Sequence, residues 1–160
     1  MADEADRRRV FSYMEGRFGI SRAFFDEYLL FKRGKSWWLL RKSPCLDSAT
    51  GLKVATVGFR AFQKIGGFLK PTTRMIQIFG RMATRATFEI DEKELSRLIA
   101  GEAVPTNLNL ENGYLILSLK NHVIGLGLLI NGEVRSQIPR KELRFLSRDA
   151  GDQKSSSFLI

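Results

Sequence analysis

Between Tyr114 and Ile138 the chain alternates short apolar runs with turn residues, and no other feature restricts its local architecture as tightly. Tyr114-Leu115-Ile116-Leu117-Ser118-Leu119 leads into a turn at Lys120-Asn121-His122, and Val123-Ile124-Gly125-Leu126-Gly127-Leu128-Leu129 follows. Short apolar runs bounded by turn residues read as strands. Asn131-Gly132 is a strong two-residue hairpin signal, because both residues tolerate the positive φ of a type I′ turn, and Val134 to Ile138 returns. Glycine inside the middle strand predicts a small, strongly bent sheet or barrel, since a missing side chain relieves crowding at a corner.

The segments upstream are mixed. Ala86-Thr87-Phe88-Glu89-Ile90 alternates as a strand, and Asp91-Glu92-Lys93-Glu94 then opens a helix, with Asp91 as N-cap and Glu94 three residues on. Leu95, Leu98 and Ile99 supply that helix's apolar face, and Gly101 ends it. Lys70-Pro71-Thr72-Thr73 predicts a helix start, with Thr72 or Thr73 accepting free amides, a run to Phe79 and a stop at Gly80. Nearer the N-terminus, Asp6 to Gly16 reads as helix through Val10, Phe11 and Met14, and Ser21 as the cap of a short helix placing Phe24, Phe25 and Tyr28 in a core. Leu29-Leu30-Phe31 and Trp37-Trp38-Leu39-Leu40 form a hairpin about Lys32-Arg33-Gly34-Lys35, and Val54 to Val57 reads as a strand.

Charge and aromatic content divide this α+β chain. Residues 1–69 hold 13 Lys+Arg against 7 Asp+Glu and 12 of the 17 aromatics, while residues 70–148 hold 12 against 8. The expected organisation is a small α/β module over 1–69, a bent β-barrel with two short helices over 70–147, and a flexible tail over 148–160. With a net charge of +9 in 160 residues, both modules are basic and the expected partners are polyanions. No stretch approaches the ~18 apolar residues of a spanning helix, and the N-terminus lacks the apolar core of a signal peptide. A cytoplasmic protein without membrane attachment is the expectation.

Catalytic chemistry finds little to work with. The single cysteine, Cys45, follows Pro44 much as in 5-methylcytosine methyltransferases, but those enzymes use two cysteines and a glycine-rich cofactor loop that this sequence lacks. His122 is the lone histidine and falls in an expected turn without clustered ligands. Gly125-Leu126-Gly127 lies inside a strand and misses the third glycine of a dinucleotide fingerprint. Catalytic residues, metal ligands and cofactors are accordingly expected to be none.

The basic positions carry the remaining signal. Lys32, Arg33 and Lys35 lie beside Trp37 and Trp38, a pairing of cations with π faces that single-stranded RNA binders use, with one tryptophan expected outside the core. Arg74, Arg81 and Arg85 could line one edge near the Thr73 helix, and Arg135, Arg140, Lys141 and Arg144 cluster around the last strand.

Lys70-Pro71-Thr72-Thr73, Gln77-Ile78-Phe79-Gly80, Gly101-Glu102, Gly113-Tyr114, Gly125-Leu126-Gly127 and Ser136-Gln137-Ile138-Pro139 together resemble a PUA-like RNA-binding domain. More specifically, they are similar to the C-terminal region of RsmF/Sun-type rRNA 5-methylcytosine methyltransferases. Arg17-Phe18-Gly19-Ile20 and Arg33 to Trp38 are similar to the segment preceding that domain. The resemblance implies a standalone, non-enzymatic relative without the methyltransferase domain, active in ribosome biogenesis or rRNA/tRNA modification. It also implies a basic groove gripping structured RNA through Lys70, Thr72, Thr73, Arg74 and Gln77, with Arg135, Ser136, Arg140 and Lys141 nearby. The alternative is a protein–protein adaptor that recruits a separate RNA methyltransferase or docks on ribosomal proteins of a pre-ribosomal particle.

Overall fold

Capping decides where the first helix begins. In a computed structural model describing residues 1–49 and 58–152, α1 spans Glu4–Phe18, and the Asp3 carboxylate accepts the free amide of Asp6. Val10, Phe11, Met14 and Phe18 bury one side of it. A 3₁₀ turn at Arg22–Phe25 follows, capped by Ser21. Phe25 is fully buried and stacks on Phe11 at 4.4 Å, whereas Phe24 is 48% exposed, against expectation. A four-residue 3₁₀ turn presents only one of two adjacent rings inward.

Four antiparallel strands complete this unit: β1 (Tyr28–Arg33), β2 (Ser36–Arg41), β3 (Phe59–Ile65) and β4 (Phe68–Pro71), in that order across the sheet. The β1–β2 hairpin forms as expected around Gly34, whose φ of +58° suits a turn. A helix, α2 (Thr73–Phe79), is capped by Thr72 and buries Met75, Ile76 and Phe79. The expected strand at Val54 to Val57 lies outside the described residues.

The chain divides into compact units at Arg85/Ala86, not at Leu69/Lys70. Lys70-Pro71 closes the edge strand β4, where a residue lacking an amide proton is tolerated. The Thr72 hydroxyl then donates to the Arg60 carbonyl at 2.7 Å, and the Phe79 ring meets Phe25 and Tyr28 at 5.0 and 5.4 Å. The 73–79 helix therefore belongs to the first core.

The second unit holds β5 (Thr87–Ile90), α3 (Glu92–Ile99), β6 (Val104–Pro105), β7 (Gly113–Leu119), β8 (His122–Ile130), β9 (Glu133–Ser136) and α4 (Arg140–Asp152). Its sheet runs β5-β7-β8-β9-β6, with β5 parallel to β7 and the other pairs antiparallel. Asp91 and Glu94 form a complete capping box on α3, as expected, and Leu95 and Leu98 are buried. The sheet curls into a half-barrel, and Gly127 explains part of the bend. A Cβ at that position would lie 2.9 Å from Leu115 Cδ1 and 3.2 Å from the Leu117 side chain. Without one, both leucines fold across β8 and remain fully buried.

Two local expectations need correction. His122 begins β8, because the turn is completed by Lys120 and Asn121, both at positive φ. The chain after Ile138 is helical: Pro139 suits a helix start, and its carbonyl accepts the amides of Glu142 and Leu143 at 2.9 and 3.1 Å. Arg140, Lys141 and Arg144 therefore sit on α4, which continues to Asp152 through positions read as tail. Among the described residues, the two helices of the second unit are α3 and α4.

Candidate nucleic-acid interface

In the first unit, several basic and hydroxyl side chains are occupied by the fold. Lys32 points toward the core side of β1, where its ammonium meets the Asp6 carboxylate at 2.8 Å. It also lies 5.7 Å from the Trp37 ring centroid. Trp37 is 2% exposed, and its indole N–H has no acceptor among the described residues, so it is a core residue rather than a stacking platform. Trp38 is half-buried. Thr72 uses its oxygen in capping α2, accepting the Met75 amide at 3.2 Å. Arg85 reaches the end of α1 and donates to the Glu15 carbonyl at 2.8 Å, a cation placed where a helix's last carbonyls concentrate negative charge. Lys32, Thr72 and Arg85 thus have structural work.

Arg33 and Lys35 are exposed at the β1–β2 turn, and Arg74, Gln77 and Arg81 are exposed along and just after α2. Thr73 is half-buried in the first turn of α2. Lys70 is half-buried, and burial lowers its pKa from the ordinary lysine value. All ten candidates from Lys32 through Arg85 lie in the first unit, whereas Arg135, Ser136, Arg140, Lys141 and Arg144 lie in the second. The expected groove therefore drew its residues from two separate units.

Within the second unit a groove of about 500 Å³ opens where the end of α3, the end of β9 and the start of α4 meet. Leu98, Ile138 and Leu143 form its apolar wall, and Arg135, Arg140 and Arg144 reach it. Arg135 and Arg140 are exposed and have no ion-pair partner among the described residues. The Ser136 hydroxyl accepts the Ile138 amide at 3.1 Å, which shapes the turn from β9 into α4. Glu102 also lines the groove, but Arg97 Nε holds it at 3.2 Å while Arg97 Nη2 donates to the Ala103 carbonyl at 3.0 Å. Arg135, Arg140 and Arg144 are the cations lining this groove, and guanidinium groups are the side chains best suited to phosphate.

Sequence reasoning missed Glu102 and Gln137 as groove residues. Gly101-Glu102 and Ser136-Gln137 were visible only as motif positions; their meeting depends on α3 packing beside α4 and β9, which no local pattern encodes. Cys45 is exposed in a 3₁₀ turn after β2, and His122 is exposed at the edge of a turn. Among the described residues no three His, Cys, Asp or Glu side chains are grouped to hold a metal ion, and no helix is long and apolar enough to cross a membrane.

Comparison with curated proteins gives no match. Among solved structures, the fold is similar to the crystal structure of a hypothetical protein from the hyperthermophilic archaeon Pyrococcus horikoshii. That similarity has a TM-score of 0.51 at 12% identity, covering 82% of this chain and 81% of that one. Residues 85–145 match the family described as the methyltransferase RsmF PUA domain. This span contains the five-stranded sheet, α3 and the arginine-lined groove, and it is similar to the PUA domain of RsmF-type methyltransferases.

Proposed function

We propose that this chain is a non-enzymatic RNA-binding protein of ribosome biogenesis or rRNA/tRNA modification that holds folded RNA at the α3–β9–α4 groove. The observation that carries this reading is the convergence of Arg135, Arg140 and Arg144 on one groove whose carboxylate is already paired with Arg97. It lies inside the span similar to a PUA domain, an RNA-binding module. A second feature agrees. Arg140 and Lys141 occupy the first turn of α4, where the helix dipole disfavours cations by about 0.3–1 kcal/mol each. A bound phosphate reverses that penalty, so the placement makes physical sense as a binding device.

The mechanism is electrostatic. Guanidinium groups contact phosphates and release condensed counterions, so affinity falls steeply with salt. Titration of the full chain with a stem-loop RNA at rising salt should give a steep linear loss of log affinity. Arg140→Gln with Lys141→Gln should reduce the slope by about one unit per phosphate contact removed. A salt-insensitive affinity, or a double variant that binds like wild type, refutes the groove. Negligible RNA affinity together with retention of a methyltransferase or ribosomal protein would support the adaptor reading instead.

A further inference from the structure

The outer face of the first unit's sheet belongs to a different unit from the groove just described. Side chains alternate between faces along each strand, and the pairing fixes which residues share one. Leu30, Trp37, Leu39, Phe62 and Leu69 are buried on the inner face. On the outer face, Phe31 pairs with Trp38, and Trp38 pairs with Arg60. The next row runs from Arg33 through Ser36 and Gln63 to Lys70, and the row after it pairs Ile65 with Phe68. Successive rows are about 7 Å apart.

This face is not sealed. Phe68 is 75% exposed and Ile65 44%; Arg33 and Arg60 are exposed, and Phe31, Trp38 and Lys70 are half-buried. Exposed apolar side chains on a folded surface can mark interaction sites, and here the Phe31–Trp38 and Ile65–Phe68 pairs flank the polar row from Arg33 to Lys70. Charge then selects the partner. On the outer face of β1 to β4 the charged side chains are Arg33, Arg60 and Lys70, with not one Asp or Glu. A protein partner with a mixed surface would not call for that one-sided composition, whereas a polyanion with exposed π faces meets both features at once. Phosphates match the cationic row, and unpaired bases match Phe31, Trp38 and Phe68. Duplex RNA hides its base faces, so its backbone alone would leave the aromatics without a role.

Resting on the RNA-binding reading above, we infer that this outer sheet face binds single-stranded RNA, stacking unpaired bases on Phe68 and Trp38 while Arg33 and Arg60 hold the backbone. It would serve the unpaired nucleotides of an RNA whose folded part occupies the other unit. The sequence pattern points to a tryptophan as the exposed ring here; the exposed aromatic is chiefly Phe68.

The test uses the full chain, an unstructured uridine-rich oligoribonucleotide of about eight nucleotides, and a blunt stem-loop RNA as the folded reference. Phe68→Ala should weaken oligonucleotide binding about tenfold, Phe68→Trp should restore it, and neither should change stem-loop affinity. Thermal melting should be unchanged for both, because Phe68 is exposed. The oligonucleotide should quench tryptophan emission in wild type but not in Trp38→Phe, where only the buried Trp37 remains. Equal oligonucleotide affinity for wild type and Phe68→Ala, or emission that never responds, overturns the inference while stem-loop binding upholds the groove. Failure of the wild type to bind either RNA overturns both readings.

Discussion

The two units differ both in net charge and in where they place their cations: residues 1–85 hold 17 Lys+Arg against 7 Asp+Glu, and residues 86–160 hold 9 against 10. In the first unit the strands themselves are cationic, with no carboxylate among β1 to β4. In the second, the strands are nearly neutral: β5 and β9 contribute Glu89, Glu133 and Arg135, and the groove cations come mainly from α4. A sheet presents charge as a broad, flat array, whereas a helix start beside a strand end presents it at a point. Net charge alone therefore does not identify the ligand; the placement of the cations does. The first arrangement suits an extended strand with splayed bases, and the second a few phosphates on a rigid fold.

Substitutions in the two cores give the largest expected effects. Phe25→Ala removes a ring stacked on Phe11 at 4.4 Å and tilted against Phe79 at 5.0 Å, and should destabilise by about 3–5 kcal/mol in urea unfolding. Its loss of amide-exchange protection should concentrate in residues 1–85; equal loss in both units would break the comparison. Gly127→Val acts on the other side. The added side chain meets Leu115 and Leu117 and should cost about 1–3 kcal/mol, with the loss concentrated in the curled sheet.

Asp91→Ala removes half of the α3 capping box, whose two bonds measure 2.7 and 2.9 Å, and should cost about 1 kcal/mol by thermal melting. Arg140→Gln should do the reverse, stabilising α4 by about 0.3–1 kcal/mol while weakening stem-loop binding. A variant that loses both stability and binding would mean that Arg140 has a structural role in the fold.

The smallest effect is a difference of sign at alkaline pH. Burial lowers the Lys70 pKa, so the penalty is complete below that lowered value and is relieved as pH rises through the ordinary lysine range. Burial raises the Tyr114 pKa, so its contribution holds at neutral pH and is lost as pH climbs past the ordinary tyrosine value. Between neutral pH and about pH 10, wild type should gain stability relative to Lys70→Met and lose it relative to Tyr114→Phe. Urea midpoints at both pH values give the two signs; a shared sign contradicts the burial argument for one of them.

How far the sequence was legible differs between units for a physical reason. The second unit is specified locally: Asp91 and Glu94 lie three residues apart, Asn131-Gly132 forms one turn, and the glycine in β8 marks the bend. Each was readable because its partners are neighbours in sequence. The first unit is held by distant pairs. Arg7 donates to the Phe25 and Tyr28 carbonyls at 2.8 and 3.0 Å, Lys32 meets Asp6, and Arg85 reaches Glu15. Such contacts engage Lys32 and Arg85, both expected at the ligand site, within the fold itself. The Phe79 ring against Phe25 and Tyr28, and the Thr72 bond to Arg60, tie α2 to the first core, which places the boundary at Ala86 rather than Lys70. Arg135, Arg140 and Arg144 were legible as a charge cluster, but the groove needed α3 and its Arg97–Glu102 pair, which only the fold supplies.

The central claim is a division of labour between two cationic surfaces, and one crossed measurement tests it most directly. Affinities for a blunt stem-loop and for an unstructured oligoribonucleotide are determined for wild type, for Phe68→Ala, and for the Arg140→Gln, Lys141→Gln double variant at a single salt concentration. The account predicts that Phe68→Ala loses the oligonucleotide and keeps the stem-loop, while the double variant loses the stem-loop and largely keeps the oligonucleotide. Parallel losses on both RNAs, or no loss on either, would contradict it.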